Sequence, residues 1–78
     1  MFFVYILYSP VTCKFYAGQT ESLQKRIERH NKGLVGSTKK GVPWVLIRAI
    51  ECGTRSESVL LEAKIKKRGI KRYLEDNP

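Results

Sequence analysis

The sequence predicts an α+β fold: a small, mainly antiparallel sheet of three strands with helices on both faces, in the order β-β-α-β-α-α. Residues 2–8, FFVYILY, are apolar at odd and even positions, which is typical of a central strand covered on both sides. Residues 20–33 and 54–68 have helical periodicity, so helices are available to cover those two sides.

The first two strands are predicted to form a hairpin. Residues 13–20, CKFYAGQT, follow the proline-containing segment SPVT and are predicted to return antiparallel to the first strand. A loop of residues 9–12 would place Tyr5 directly opposite Tyr16. Both rings then share one face, with Cβ atoms about 5 Å apart. A slip by one residue would put them on opposite faces.

The first helix is predicted to begin near Thr20, a residue type that caps helix N-termini. Leu23, Ile27 and Leu34 are spaced as an inward-facing stripe. Gly33 is expected to end the helix, because glycine readily adopts the left-handed conformation found after the last helical turn.

The rest of the chain contains one more strand and two more helices. Residues 32–41 are polar and rich in glycine, which indicates a connection with a short helical turn, and residues 42–51 form the third strand. The second helix has a capping-box pattern at Thr54 and Glu57. Gly69 separates it from a last short helix with the sequence IKRYLED.

Charge and length limit the class of protein. The net charge of +8 indicates a polyanionic partner, with nucleic acid the first candidate, an anionic membrane surface the second and a merely solvated basic surface the alternative. We expect residues 1–78 to form a single domain, because so short a chain has room for one sheet and a few helices.

The apolar residues point to a protein of the cytoplasm. The run at residues 1–8 is shorter than the roughly 20 residues that cross a bilayer, and it lacks the basic leader of a signal peptide. Cys13 and Cys52 are too few for a disulfide framework. We expect both to be buried free thiols in a reducing compartment.

Five polar residues are predicted to lie on inward-facing positions. Arg26 and His30, one helical turn apart, lie beside the apolar stripe of the first helix, and Glu62 lies within the apolar arc of the second. Tyr5 and Tyr16 need hydrogen-bond partners if they are buried. Each has an ordinary structural alternative, such as a Glu62 pair with a lysine one turn later.

Together these residues indicate metal-assisted hydrolysis of a phosphodiester. A carboxylate such as Glu62 is a ligand that Mg²⁺ or Mn²⁺ prefers, and the planar fork of Arg26 matches a phosphate. The set contains no second carboxylate pair for two metals and no serine or cysteine nucleophile with an evident base, so a single-metal site is predicted.

These residues occur where the motifs of a known family stand. The chain resembles the GIY-YIG endonuclease superfamily, most closely its small single-domain members. Residues 3–5, FVY, occupy the first motif and residues 16–18, YAG, the second. Arg26 and His30 match the arginine and histidine of the following helix, and Glu62 matches the glutamate of a later one. The resemblance extends over essentially the whole chain.

The chain departs from the family pattern at three places. Phe3 stands in place of the first glycine, and Ala17 in place of the middle isoleucine of the second motif. The late asparagine of many members has only Asn77 as a counterpart, and no role is assigned to it. The DNA-binding or partner-binding domain that many members carry has no counterpart in these residues, so a protein partner that supplies specificity is an open alternative.

The resemblance implies a role for each site residue. Glu62 would bind one divalent cation, Mg²⁺ or Mn²⁺, and Arg26 would stabilise charge on the phosphorus. Tyr5 would act as general base or orient the attacking water, and Tyr16 would hold the water network. His30 would orient Tyr5 or contact phosphate. A tyrosine has a pKa of about 10, so a phenolate base would need positive charge from Arg26 and the metal.

The implied function is metal-dependent endonucleolytic cleavage of DNA, acting on structured or damaged DNA in repair or recombination. The alternatives are a non-catalytic nucleic-acid-binding module on the same fold and a basic scaffold for a protein partner. Gly18 is expected to leave space beside Tyr16 for a DNA backbone. Basic residues expected to contact phosphates are Lys39, Lys40, Lys64, Lys66, Lys67, Arg68, Lys71 and Arg72.

Overall fold

A computed structural model describes all of residues 1–78, and its architecture confirms the predicted fold class and element order. Three strands form one sheet, and three α-helices and one 3₁₀ helix surround it. The elements in chain order are β1 (Phe2–Ser9), β2 (Lys14–Thr20), α1 (Leu23–Asn31), the 3₁₀ helix (Gly36–Gly41), β3 (Val45–Cys52), α2 (Arg55–Arg68) and α3 (Ile70–Asp76). None of the helices has the length and apolarity needed to span a bilayer.

Strand β1 lies at the centre of the sheet, in the order β2-β1-β3, and pairs antiparallel with both neighbours. Its side chains alternate between two buried layers. Val4 and Ile6 pack with residues of α2 and α3, whereas Tyr5 and Leu7 pack with α1 and Trp44. All four β1 residues are fully buried, as predicted for a strand covered on both faces.

The register of the hairpin differs from the prediction by two residues. Tyr5 pairs with Gly18 rather than Tyr16, and Tyr16 pairs with Leu7. The turn uses residues 10–13 instead of 9–12, with Cys13 in the left-handed conformation at φ 57°. Because a two-residue shift preserves side-chain direction, Tyr5 and Tyr16 still share a face, with ring centroids 6.3 Å apart.

Helix α1 begins later than predicted. Thr20 is the last residue of β2, and its hydroxyl accepts a hydrogen bond from the Ser22 amide at 3.1 Å instead of capping the helix. Ser22 occupies the cap position and makes no side-chain capping bond. The threonine hydroxyl stabilises the bend from strand to helix.

The end of α1 lies where the sequence predicted it. Gly33, at φ +72°, follows the helix, and its amide donates to the His30 carbonyl at 3.1 Å. The Leu34 amide donates to the Arg29 carbonyl at 3.0 Å, which completes a Schellman motif. The prediction that Leu34 faces inward is wrong: the reversal after Gly33 leaves Leu34 exposed.

Two further predictions are partly corrected. Cys52 is buried, but Cys13 is exposed because it lies in the turn between β1 and β2. The Thr54 hydroxyl caps α2 by accepting from the Glu57 amide at 3.1 Å. The Glu57 carboxylate accepts from Gly53 at 3.2 Å, one residue before the position of a standard capping box.

Candidate active site

The phenol of Tyr5 lies at the centre of a polar cluster beneath α1. The ring is fully buried, and the residue opposite it on β2 is Gly18. A Cβ atom at position 18 would lie 2.5 Å from Tyr5 Oη and 2.7 Å from Cζ. Only glycine therefore fits opposite this tyrosine. The space expected beside Tyr16 for a DNA backbone is not open, because the Tyr5 ring fills it.

A buried hydrogen-bond chain leads away from this phenol. Tyr5 Oη lies 2.9 Å from His30 Nε2, and His30 Nδ1 lies 2.7 Å from Thr38 Oγ1. The Thr38 hydroxyl donates to the Val35 carbonyl at 3.3 Å. His30 and Thr38 are almost completely buried. The 3₁₀ helix, which carries Thr38, thus positions an imidazole that belongs to α1.

The protons of this chain can be assigned in order. Because the Thr38 hydroxyl donates to a carbonyl, its oxygen accepts from His30 Nδ1–H. Burial and the nearby positive charge of Arg26 lower the pKa of His30, so the imidazole is neutral at pH 7. A neutral imidazole protonated at Nδ1 accepts at Nε2, so the Tyr5 hydroxyl donates to His30.

Arg26 approaches the same phenol from the side of α1. Its Nε donates to Tyr5 Oη at 3.3 Å, and this bond raises the pKa of the guanidinium. Burial of Tyr5 raises the pKa of its phenol, and this outweighs the lowering effect of Arg26. Arg26 alone therefore does not make Tyr5 a phenolate at pH 7.

Tyr16 is the partly exposed aromatic residue of the cluster. Its ring centroid lies 5.1 Å from that of His30 and 6.2 Å from that of Trp44, both in edge-to-face geometry. Lys66 Nζ lies 6.0 Å from the Tyr16 ring centroid. These contacts hold the Tyr16 ring between the buried histidine and solvent.

Glu62 reaches the same region from α2. Its side chain is 20% exposed and pairs with Lys66 at 2.7 Å, the ordinary structural partner foreseen for it. Its negative charge also contributes to the raised pKa of Tyr5, so the carboxylate lies within electrostatic range of the phenol. The structure therefore brings Tyr5, Tyr16, Arg26 and His30 together, with Glu62 nearby through its pair with Lys66, which lies over the Tyr16 ring.

Glu62 is the only carboxylate of this cluster that could hold a metal ion. No three His, Cys, Asp or Glu side chains come together anywhere in the chain. Mg²⁺ suits such a site, because it commonly takes one or two carboxylates and completes its shell with waters and substrate phosphates. The donor set therefore fits a divalent cation that binds together with a phosphate substrate.

Sequence reasoning missed three residues that support the cluster. The Asn31 side chain accepts from the Trp44 amide at 2.6 Å and donates to the Trp44 carbonyl at 3.1 Å, which ties α1 to the start of β3. Trp44 Nε1 donates to the Thr38 carbonyl at 2.8 Å. The sequence signal was a lone tryptophan, and Thr38 resembled any polar loop residue.

The basic residues predicted to contact DNA lie in different places. Lys40 lines a cavity of about 320 Å³ that also includes Tyr16. Lys64, Lys67 and Arg68 line a separate cavity of about 500 Å³ that contains none of the five cluster residues. Lys39 is exposed on the 3₁₀ helix, and Arg68 pairs with Asp76 at 2.7 Å.

Comparison with models of known protein families identifies the family to which this chain belongs. The GIY-YIG catalytic domain matches residues 1–73, and the chain belongs to this family of nucleases. Of the two motif departures, Ala17 lies in the buried layer with Ile6, on the sheet face opposite the Tyr5 cluster. A search of curated proteins gives no match, and neither does a search of solved structures.

Proposed function

We propose that this protein is a divalent-metal-dependent endonuclease that hydrolyses phosphodiester bonds in DNA. The observation that carries the proposal is a buried phenol held between an arginine and a buried histidine. Tyr5 Oη lies 3.3 Å from Arg26 Nε and 2.9 Å from His30 Nε2, and Glu62 is close enough to influence the phenol. A purely structural tyrosine has no need of this combination in a thin core.

His30 is the proton acceptor in the proposed reaction, and Tyr5 is the relay. As a water oxygen bonds to phosphorus, its proton passes to Tyr5 Oη, and the Tyr5 proton passes to His30 Nε2. The leaving oxygen departs with the electrons of its bond to phosphorus. The resulting imidazolium keeps its Nδ1–H bond to Thr38, and its Nε2 proton leaves through the same hydrogen bond to Tyr5 Oη. No phenolate forms, so the raised pKa of Tyr5 does not oppose the step.

Arg26 and Glu62 act on the phosphate. The guanidinium is the cation nearest the relay and would stabilise the additional negative charge that develops on phosphorus oxygens. Glu62 would hold one Mg²⁺ or Mn²⁺, whose charge assists the departure of the leaving oxygen. Tyr16, beside the relay and partly exposed, would hydrogen-bond the water before attack.

The finer parts of the proposal concern substrate and setting. We propose structured or damaged DNA, as in repair or recombination, because the exposed cations favour phosphate contacts that carry no base information. Lys39 and Lys40 are proposed phosphate contacts on the 3₁₀ helix, and Lys64, Lys67 and Arg68 are proposed weaker contacts that line a separate cavity. Residues 1–78 are proposed to act as one domain in the cytoplasm. A protein partner that supplies specificity remains compatible with this proposal.

A cleavage assay tests the function. Purified protein is incubated with duplex, flap, branched and single-stranded DNA in Mg²⁺, Mn²⁺ or EDTA. The expected result is metal-dependent cleavage that is lost in Glu62→Gln and retained in the control Glu28→Gln, an exposed glutamate of α1. Binding without cleavage of any substrate would instead indicate the non-catalytic module, and neither binding nor cleavage would indicate the scaffold.

A further inference from the structure

Two cavities that carry basic residues border the proposed active site. The first, of about 320 Å³, includes Tyr16 and carries Lys14 and Lys40 on its wall. The second, of about 400 Å³, includes Arg26 and carries Arg55, the first residue of α2. No apolar side chain lines the second cavity. The first cavity shares Tyr16 and Thr38 with the Tyr5 cluster, the second shares Arg26, and each adds cations of its own.

These added cations are not neutralised within the protein. The chain has two ion pairs, Lys66 with Glu62 and Arg68 with Asp76. Lys14, Lys40 and Arg55 thus have no carboxylate within 4.0 Å. Glu21 is the one acidic residue at the second cavity, where it faces two arginines. Unpaired cations on both sides of a site favour an anionic ligand.

The positions of the two cavities indicate a ligand that carries several negative charges along its length, instead of a single anion. Both are built on β2, the first around Lys14 and Tyr16 and the second around Gln19 and Thr20. Tyr16 and Thr20 are four residues apart on a strand that rises about 3.3 Å per residue, which separates them by about 13 Å. A lone phosphate cannot occupy both cavities, whereas the backbone of a nucleic-acid strand can.

We propose that the DNA strand to be cut lies along β2, with phosphates on one side of the reacting bond at Lys14 and Lys40 and on the other side at Arg55. This inference rests on the proposed nuclease function and specifies its substrate path. It assigns binding roles to Lys14 and Arg55, which were not singled out in the sequence. It also places the main path away from the basic stretch of Lys64 and Lys67.

Two double variants with equal charge change test the path. Lys14→Ala/Arg55→Ala and Lys64→Ala/Lys67→Ala each remove two positive charges, and all four residues are exposed. The affinity for a fluorescent single-stranded oligonucleotide is measured in EDTA by anisotropy at several salt concentrations. Thermal unfolding checks that both variants fold. Because EDTA prevents metal-dependent cleavage, this readout is independent of nuclease activity.

The expected result is a difference between the two variants. For Lys14→Ala/Arg55→Ala, the slope of log K against log salt should become shallower by about 1.4, which corresponds to about 0.7 for each lost phosphate contact on a single strand. Lys64→Ala/Lys67→Ala should change the slope by less than half as much. An equal or larger change in this second variant, or no binding by the wild type, would overturn the path.

The cleavage assay keeps the two proposals apart. Absence of cleavage together with the expected difference in salt slope would remove the nuclease function and leave β2 as a strand-binding surface. Cleavage together with equal changes in salt slope for the two double variants would support the nuclease function and overturn the proposed path of the DNA strand along β2.

Discussion

Replacing Gly18 with alanine should displace the Tyr5 ring and so impair the active site. A Cβ at this position would lie 2.7 Å from Tyr5 Cζ, whereas unstrained carbon atoms approach to about 3.5 Å. The Tyr5 ring must therefore retreat by about 0.8 Å. The ring is fully buried and its hydroxyl is already hydrogen-bonded to His30 and Arg26, so the retreat strains or breaks both hydrogen bonds.

The size of the effect follows from these contacts. Overpacking of a buried site costs about 1–3 kcal/mol, and alanine in a strand regains about 0.5–1 kcal/mol relative to glycine. A net loss near 1 kcal/mol lowers the midpoint of thermal unfolding by about 4–8 °C in a domain of this size. A displacement of roughly 1 Å in a reacting group reduces the rate about 100-fold. Activity should thus fall far more than stability.

The assay compares Gly18→Ala with Gly36→Ala. A Cβ at Gly36 would meet no atom within 4 Å, so this second variant controls for the loss of glycine alone. Thermal unfolding and single-turnover cleavage are measured for both. If Gly18→Ala unfolded and cleaved like Gly36→Ala, the close packing of Tyr5 against β2 would not support the reaction.

Three further predictions concern the relay and its supports. The cleavage rate should fall as pH drops through the His30 pKa, which lies below the usual 6.5, because only neutral His30 accepts the proton. From about pH 7 to 9 the rate should stay level. A rate that keeps rising tenfold per pH unit would indicate a Tyr5 phenolate instead. Thr38→Val leaves the buried His30 Nδ1–H without an acceptor, so the free energy of unfolding should fall by about 1–3 kcal/mol. The cleavage rate should fall at least about tenfold. An unchanged rate and pH dependence would contradict the relay. Asn31→Ala removes both hydrogen bonds between α1 and the Trp44 backbone, and denaturant titration should show a destabilisation of about 1–3 kcal/mol. A destabilisation below about 0.5 kcal/mol would show that other contacts hold α1 to the start of β3.

Arg26, His30 and Glu62 were accessible to sequence reasoning because each is polar at a position where the pattern requires an apolar residue, and Tyr5 and Tyr16 because they stand in the two family motifs. Helical spacing alone put Arg26 and His30 on the inner side of α1, and the structure places both beside Tyr5. The family match over residues 1–73 confirms the resemblance drawn from these same positions. Their catalytic roles remain proposals.

The parts that sequence reasoning missed depend on tertiary structure. The register of β1 against β2 was wrong by two residues because nothing in SPVTC reveals that Cys13 adopts a left-handed conformation. The role of Gly18 could not be read without that register. Thr38 lies in a glycine-rich polar segment, where a buried hydroxyl has no distinguishing pattern. Neighbours across the fold, not neighbours along the chain, define these features.

The loss of one hydroxyl group tests the central claim most directly. Tyr5→Phe retains the buried ring and its packing but removes the oxygen that contacts His30 and Arg26. Single-turnover cleavage is measured with Mg²⁺ beside DNA binding in EDTA. Binding should be unchanged and the rate should fall about 10²- to 10⁴-fold, as for loss of a proton-transfer group. Cleavage by Tyr5→Phe at the wild-type rate would contradict the proposed relay.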